Sequence, residues 1–294
     1  VTGDRPHCRI CAGETRLIGT KRGRLDDRMY VYHHCNACHF SFIANPRTDY
    51  EQLYSEEYYK GRGADPSVDY FYELEHPATS IRTYEWQGIC SIFSTLLPAG
   101  GRWLDFGCGS GGMVSYALQR GFDITGSEEG WGAQAGRLKG IPILTAQELN
   151  ALPGAFDFVT AIEVMEHTVD PLAVLRTIRS VLKPGGILFL TTGNAQPWRQ
   201  KLLQWGYTAC PEVHIGFFEP GTLALAFEKT GFEARPGVFH AGLVDVIRYK
   251  VLKELGFKNR HLLMDILPWR LLSAIVDRRH QVSRQPYAIA RRHG

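Results

Sequence analysis

The chain has 294 residues, 44% of them apolar and 21% charged, and a net charge of +3. That is an ordinary globular mixture; it excludes wholesale disorder, collagen-like repeats and a disulfide mini-scaffold, and the length suits about two domains. No apolar run approaches the roughly 20 residues that cross a bilayer, and the opening Val1-Thr-Gly-Asp-Arg5 lacks a signal-peptide pattern, so the expectation is a cytoplasmic protein.

The first landmark is Cys8-x-x-Cys11, followed after 23 residues by Cys35-x-x-Cys38. Two such pairs put four thiolates where a tetrahedral zinc ion closes, with no position left for water. About 40 residues bury little apolar surface, so the metal would supply folding free energy that a core cannot. The set read here is Cys8, Cys11, Cys35 and Cys38, in a zinc ribbon over 1–48. His7, His33, His34 and His39 crowd the same segment and make Cys3His the alternative set. A redox pair is the other reading.

A tyrosine-rich linker follows over 49–97, with Tyr50, Tyr54, Tyr58, Tyr59, Tyr70 and Tyr72. Residues 49–59 suit a short helix that docks on the next domain. Gly61, Gly63 and Pro66 punctuate a loop, and a helix is predicted over about 78–97, stopped by Pro98-Ala-Gly-Gly101. Strands and helices then alternate. Strands are expected at 102–106, 122–126, 142–144, 156–162, 187–192, 232–239 and 287–290. Helices are expected at 113–120, 131–138, 171–182 and 223–230, with Lys183-Pro-Gly-Gly186 closing the third. Units of this length imply an α/β domain over 98–294, a parallel sheet with helices on both faces. A helical insertion is read at about 243–278. Residues 241–294 hold eleven Lys/Arg against four Asp/Glu, leaving this tail at +7 and the remainder at −4.

Chemistry enters at Gly107-Cys-Gly-Ser-Gly-Gly112, a G-x-G-x-x-G match that alone suggests a dinucleotide site. Asp105 stands two residues before it, and Glu128 ends the next strand. A pyrophosphate is repelled by a carboxylate at Asp105, whereas an ammonium group is attracted. Glu128 sits where an acid accepts from ribose hydroxyls.

With Asp105-Phe-Gly-Cys-Gly-Ser-Gly111, Phe156-Asp-Phe-Val-Thr160, Glu163-Val-Met-Glu-His167, Asp170-Pro171 and Leu182-Lys-Pro-Gly-Gly186 in order, the chain resembles class I S-adenosylmethionine-dependent methyltransferases. The likeness spans roughly 98–240 and 285–292. It implies a Rossmann-like, seven-stranded, mostly parallel sheet. The N-terminal part resembles a bacterial branch in which a zinc ribbon and a Tyr-rich helix precede this core, some members of which methylate sugars or natural products. His214-Ile-Gly-Phe-Phe-Glu-Pro-Gly-Thr-Leu223 matches that branch, but Gly193 stands where a proline is usual. The longer sugar C-methyltransferases carry a further C-terminal domain not seen here, which favours oxygen over carbon.

By this resemblance Asp105, Gly107, Gly109 and Gly111 line the methionine end of the cofactor, and Glu128 takes the ribose. Adenine lies near Gln147, Glu148 or Leu149, Glu163 faces the cofactor, and Tyr58 and Tyr59 close the cleft. A positioned base typically adds about 10²–10⁴ in rate; His167, His214 and Glu166, after the fourth and fifth strands, are the candidates. Glu163, Glu166 and His167 with a later histidine also resemble the divalent-metal site of ubiquinone-pathway and small-RNA O-methyltransferases. The expected function is therefore in-line methyl transfer to a hydroxyl of a small polar acceptor. A ribosomal-RNA methyltransferase is the first rival, but the basic tail lacks interleaved exposed aromatics, which argues against a nucleic-acid partner. A deoxysugar C-methyltransferase and a non-catalytic binding module are the others. The insertion reads as an amphipathic helix packed over the cleft or at a dimer seam, with peripheral membrane contact as the alternative.

Overall fold

The computed structural model describes residues 6–66, 68–235, 241–272 and 288–292. The chain opens with an antiparallel hairpin, β1 (Thr15–Arg22) and β2 (Met29–Cys35), continued by β3 (Ser41–Ile43). Short helices α1 (Tyr50–Leu53), α2 (Glu56–Tyr59) and α3 (Tyr70–Glu75) lead into α4 (Arg82–Leu96). Then come β4 (Trp103–Phe106), α5 (Gly112–Leu118), β5 (Ile124–Ser127), α6 (Gly130–Leu138) and β6 (Ile143–Leu144). They are followed by α7 (Ala146–Asn150), β7 (Phe156–Ile162), α8 (Pro171–Val181) and β8 (Leu182–Thr191). The last elements are β9 (Gly216–Phe217), α9 (Pro220–Lys229), β10 (Phe232–Arg235), α10 (Ala241–Glu254), α11 (Leu262–Ile266) and β11 (Ala288–Arg292).

The main sheet has the order β10-β11-β8-β7-β4-β5-β6. Its five strands from β8 to β6 are parallel, and β11 runs antiparallel to both of its neighbours. Side chains alternate across a strand, and here both faces are apolar. Trp103, Phe158, Ile187 and Phe189 pack under α4, α5 and α10 with Trp86, Ile89, Met113 and Leu243. Leu104, Val159, Leu188 and Leu190 point the other way, to Leu175 and Ile178 of α8 and Leu223 and Phe227 of α9. Phe40 and Phe42 of the cysteine-rich segment join that second core.

The four-stranded sheet, β1-β2-β3-β9, takes its last strand from far along the chain, because β9 pairs with β3 at Ser41–Phe217 and Phe42–Gly216. The Thr222 hydroxyl donates to the Cys38 carbonyl (2.6 Å), and the Phe40 and Phe218 rings meet at 4.9 Å.

Several boundaries depart from the sequence reading. The segment 49–59 is two helices, broken at Tyr54 and Ser55. Residues 183–186 do not close α8 but lie inside β8, because the Lys183 ammonium grips both oxygens of Asp157 (2.8 and 2.9 Å) and holds the segment against β7. Helix α8 itself starts as its sequence dictates: Asp170 caps the Ala173 amide (2.9 Å) and Pro171 occupies the first turn. The strand expected to reach 239 is described to Arg235, and residues 273–278 of the insertion and Tyr287 lie outside the described residues. Among the described residues no helix is long and apolar enough to cross a membrane.

The insertion begins with α10, which crosses α4 at Gly88 and Gly242. A Cβ on either glycine would overlap the other's carbonyl oxygen. Backbones meet there because no side chain intervenes. Gly242→Val should therefore cost about 1–3 kcal/mol by overpacking, read as a lower urea midpoint, whereas the same change at exposed Gly221, with open space around it, should leave the midpoint near that of the parent.

Candidate active site and metal centre

The turn after β4 needs left-handed backbone: Gly107, Gly109 and Gly111 have φ of +73°, +58° and +82°, a region L side chains disfavour. Space is equally short, since a Cβ on Gly107 would lie 2.6 Å from Val164 and one on Gly111 2.8 Å from Ile141. Asp105 is buried, and its Oδ1 accepts from the Thr160 hydroxyl (2.8 Å), which in turn accepts from the Trp103 indole (2.9 Å). Glu128, ending β5, accepts from the Gly109 amide (3.0 Å) and the Glu129 amide (2.9 Å). Burial pushes the carboxyls of Asp105 and Glu128 each up to about 7. Among the described residues neither has a cationic partner within ion-pair distance. The turn is a small acidic basin.

Tyrosines cover it. The Tyr70 ring lies 3.3 Å from where a Gly109 Cβ would stand, and the Tyr59 ring 3.8 Å away. Tyr59 also stacks on Trp131 of α6 (5.8 Å), and Tyr58 meets both Tyr59 (5.3 Å) and Tyr54 (4.9 Å) edge-on. Helix α3 is tied down by Arg82, whose guanidinium lies 3.5 Å from Glu73, 2.9 Å from Glu85 and 2.6 Å from the Tyr249 hydroxyl of α10. Of the residues expected near adenine, Glu148 is committed to a capping box with Thr145 at the start of α7, and Leu149 is buried.

The second cluster sits at the ends of β7 and β8. Glu163 has φ +53°, rare for a residue with a side chain and typical of functional sites. Its Oε1 accepts from Lys250 of α10 (2.7 Å) and from the Thr191 hydroxyl (3.0 Å), and its Oε2 faces the Tyr207 hydroxyl (3.1 Å). Glu166, fully buried, is held by Thr192 on Oε2 (2.7 Å) and by Tyr207 on Oε1. One phenol proton cannot serve two carboxylates, so a second proton is needed, and Glu166 carries it. Burial and the neighbouring Glu163 raise its carboxyl to about 8. Lys250 holds Glu163 ionised, well below the usual carboxylate range, against the opposing effect of burial.

Both expected histidines are here and oriented alike. His167 Nδ1 donates to the Val213 carbonyl (2.9 Å), and His214 Nδ1 donates to the Tyr207 carbonyl (2.9 Å). Each Nε2 thus keeps its lone pair. Burial lowers both imidazoles, His167 to about 3, so both are neutral near pH 7. Their rings lie 5.0 Å apart, and His214 Nε2 is 4.0 Å from Asp65 of the cover. Tyr54 reaches His167 (3.4 Å), joining this cluster to the tyrosines above the glycine turn. A divalent ion does not fit at Glu163 and Glu166, since all four of their oxygens face protein donors. Among the described residues, only the cysteines gather three or more ligating groups within 4.8 Å.

Those four cysteines are free thiols with Cys8–Cys38 and Cys11–Cys35 sulfur separations of 3.4 Å. Zinc–thiolate bonds of about 2.3 Å set sulfurs about 3.8 Å apart, so the cluster suits a tetrahedral ion. The Ile10 and Gly13 amides donate to Cys8 and Cys11 sulfurs (3.4 Å each), as donors around bound thiolates do. His33 and His34 turn to Thr15 (3.0 Å) and Ser41 (2.8 Å) instead.

Sequence reasoning missed Asp65, Tyr207, Lys250 and the two threonines ending β8. Gly193 was the available signal for Tyr207: a Cβ there would lie 2.8 Å from both Trp205 and Tyr207. The missing side chain admits a ring column in which Trp205 stacks on Tyr207 (4.6 Å) and Tyr207 on His214 (4.1 Å).

A family model described as a methyltransferase domain matches residues 79–236. The ubiquinone biosynthesis O-methyltransferase of Pseudomonas aeruginosa is 41% identical over 110 residues, covering 34% of this chain and 47% of that protein. The protein of that name from Xanthomonas campestris pv. campestris is 40% identical over 113 residues, covering 33% and 45%. The chain thus spans less than half the length of these curated relatives. A solved structure from Thermotoga maritima, described as a SAM-dependent methyltransferase and possible histamine N-methyltransferase, is 22% identical with a TM-score of 0.42, covering 56% of this chain and 75% of that one.

Gly193→Ala should push Trp205 and Tyr207 apart, at a cost of about 1–3 kcal/mol. Near-UV circular dichroism, which reports the packing of these rings, should lose intensity while the far-UV spectrum holds.

Proposed function

The chain belongs to the methyltransferase-domain family, and from that premise we propose that it transfers a methyl group from S-adenosylmethionine to a hydroxyl of a small acceptor. One observation carries the reading. A glycine turn flanked by two acids that have no cationic partner among the described residues adjoins, through Tyr59, Tyr58 and Tyr54, the neutral His167 ring, and beside it at 5.0 Å lies His214, whose Nε2 faces the Asp65 carboxylate. The turn suits a cofactor that brings an ammonium and a sulfonium. The imidazole suits an acceptor that must lose a proton. Oxygen as the acceptor atom is supported by the names of the curated relatives; those names give no support to the sugar-like acceptor expected from the sequence.

Asp105 would hold the ammonium end and Glu128 the ribose, as the resemblance implies, with Gly107, Gly109 and Gly111 letting the backbone approach. Tyr59 closes over them. When bound, the cofactor supplies the activated methyl; the chain aligns the acceptor and takes its proton. His214 is the base: its Nε2 would take the proton of an acceptor hydroxyl whose oxygen receives the methyl, the sulfonium of the cofactor leaving as the neutral thioether. Asp65, 4.0 Å away, then faces the imidazolium. His167 anchors the loop at Val213, and Glu166, protonated and enclosed, is a structural acid. The cysteine cluster would hold zinc, closed and without an open position, so its contribution is to folding.

The test is methyl-labelled cofactor incubated with purified protein and fractionated small-molecule, RNA and protein pools. Label is expected in the small-molecule pool as a methoxy group, and label confined to RNA or protein would sink the reading. His214→Ala should lower transfer by about 10²–10⁴ with cofactor affinity unchanged. Cofactor binding itself should depend on pH. Below about pH 7 the free protein holds protons on Asp105 and Glu128, whose carboxyls are pushed up to about 7; an ammonium at Asp105 and ribose hydroxyl donors at Glu128 would each favour the ionised form and drive the protons off. Affinity therefore rises with pH below about 7 and flattens above about 8. Calorimetry in buffers of different ionisation enthalpy should show protons released on binding at pH 6.

A further inference from the structure

We propose that Lys250 is the resident cation of the Glu163–Glu166 pair, occupying the place of the divalent ion for which such a motif is suited, so that methyl transfer here needs no divalent ion. The second half rests on the reading above; the first half stands on geometry. The Lys250 ammonium lies 2.7 Å from Glu163 Oε1, with the lysine side chain 16% exposed and the glutamate 29%. It arrives from α10, and the Gly88–Gly242 crossing sets that helix close enough for the reach. Thr191, Tyr207 and Thr192 engage the remaining oxygens. The charge count closes. Glu163 is balanced by Lys250, Glu166 keeps a proton, and His167 and His214 are neutral, so these five groups carry no net charge, and Asp65 beside His214 is the carboxylate left over.

Geometry opposes a metal independently of charge. The point on which Glu163 Oε2 and Glu166 Oε1 converge is taken by the Tyr207 hydroxyl. An ion with hard oxygen preferences would have to displace an ammonium, a phenol and two threonine hydroxyls at once. Lys250 is a positioning residue in this account: it keeps Glu163 ionised and thereby leaves the shared proton on Glu166.

The experiment is Mn²⁺ binding, followed by the electron paramagnetic resonance of the free ion, which needs no acceptor. The parent protein is expected to take up no equivalent of Mn²⁺ at this site. K250Q removes the charge and keeps most of the length; it is expected to create one Mn²⁺ site, lost again when E163Q is added. K250R keeps a cation and is expected to bind none. K250A repeats the measurement if K250Q does not melt cooperatively. A Mn²⁺ site in the parent that E163Q abolishes would overturn the proposal, as would folded K250Q and K250A that both gain nothing. Label transfer by chelator-treated protein should be unchanged by added Mg²⁺, with the cysteine metal retained; a rise on adding Mg²⁺ would overturn the second half. Cofactor calorimetry on the same samples keeps the readings apart. Failure to bind S-adenosylmethionine refutes the methyltransferase reading and leaves the Mn²⁺ result standing.

Discussion

Four carboxylates, Asp105 and Glu166 buried and Glu128 and Glu163 half-buried, lie along one edge of the parallel sheet, at the ends of β4, β5 and β7, and drawing that much acid out of water is the constraint around which the molecule is arranged. A buried charge is tolerated only when paired or neutralised. Glu163 is paired with Lys250, brought in by an inserted helix. Glu166 is neutralised by a proton and held by Tyr207 and Thr192. Asp105 and Glu128 have hydrogen bonds but, among the described residues, no cation, and burial raises both carboxyls. The first two acids are settled within the chain; the other two are the pair to which the proposed function assigns the cofactor's ammonium and ribose. That asymmetry marks where structure ends and binding begins.

The parts legible in the sequence are those whose signal is local. Asp170-Pro171 announces a helix start, the Gly107–Gly112 run a left-handed turn, and the alternation of Trp103 with Leu104 a strand covered on both sides. The pairs at Cys8 and Cys35 could be read as one cluster because ligand spacing is a short-range signature. Lys183 to Gly186 misled for the opposite reason. Pro and Gly read locally as a stop, while the grip of Lys183 on Asp157 is a contact with another strand. Lys250 was illegible on the same ground, being 87 residues from Glu163 in a segment whose composition shows only a basic amphipathic helix. Thr145-x-x-Glu148 was a readable cap that the spacing of the loop obscured. Gly193 was noticed as an oddity, but only the position of Trp205 and Tyr207 explains it.

The cysteine-rich sheet is no free-standing appendage in this arrangement. Its fourth strand, β9, begins two residues after His214, and its Phe40 and Phe42 share a core with α8 and α9. Order in the thiolate cluster is thereby order in the loop that carries His214. A metal far from any reacting atom, one that is structural in its chemistry, would still shape the acceptor side of the cleft through β3 and β9.

The cover over the glycine turn has a further consequence, because Asp65, which faces His214, belongs to the same short segment as Tyr59 and Tyr70, which face Gly109. A cofactor at the turn and an acceptor at the imidazole would be enclosed by one piece of chain. The conformational entropy given up when the first ligand fixes that piece is not given up again by the second. Their affinities are then linked, each ligand strengthening the other by the same factor whichever arrives first, and the enzyme would hold its two substrates together more tightly than the sum of its separate holds on each.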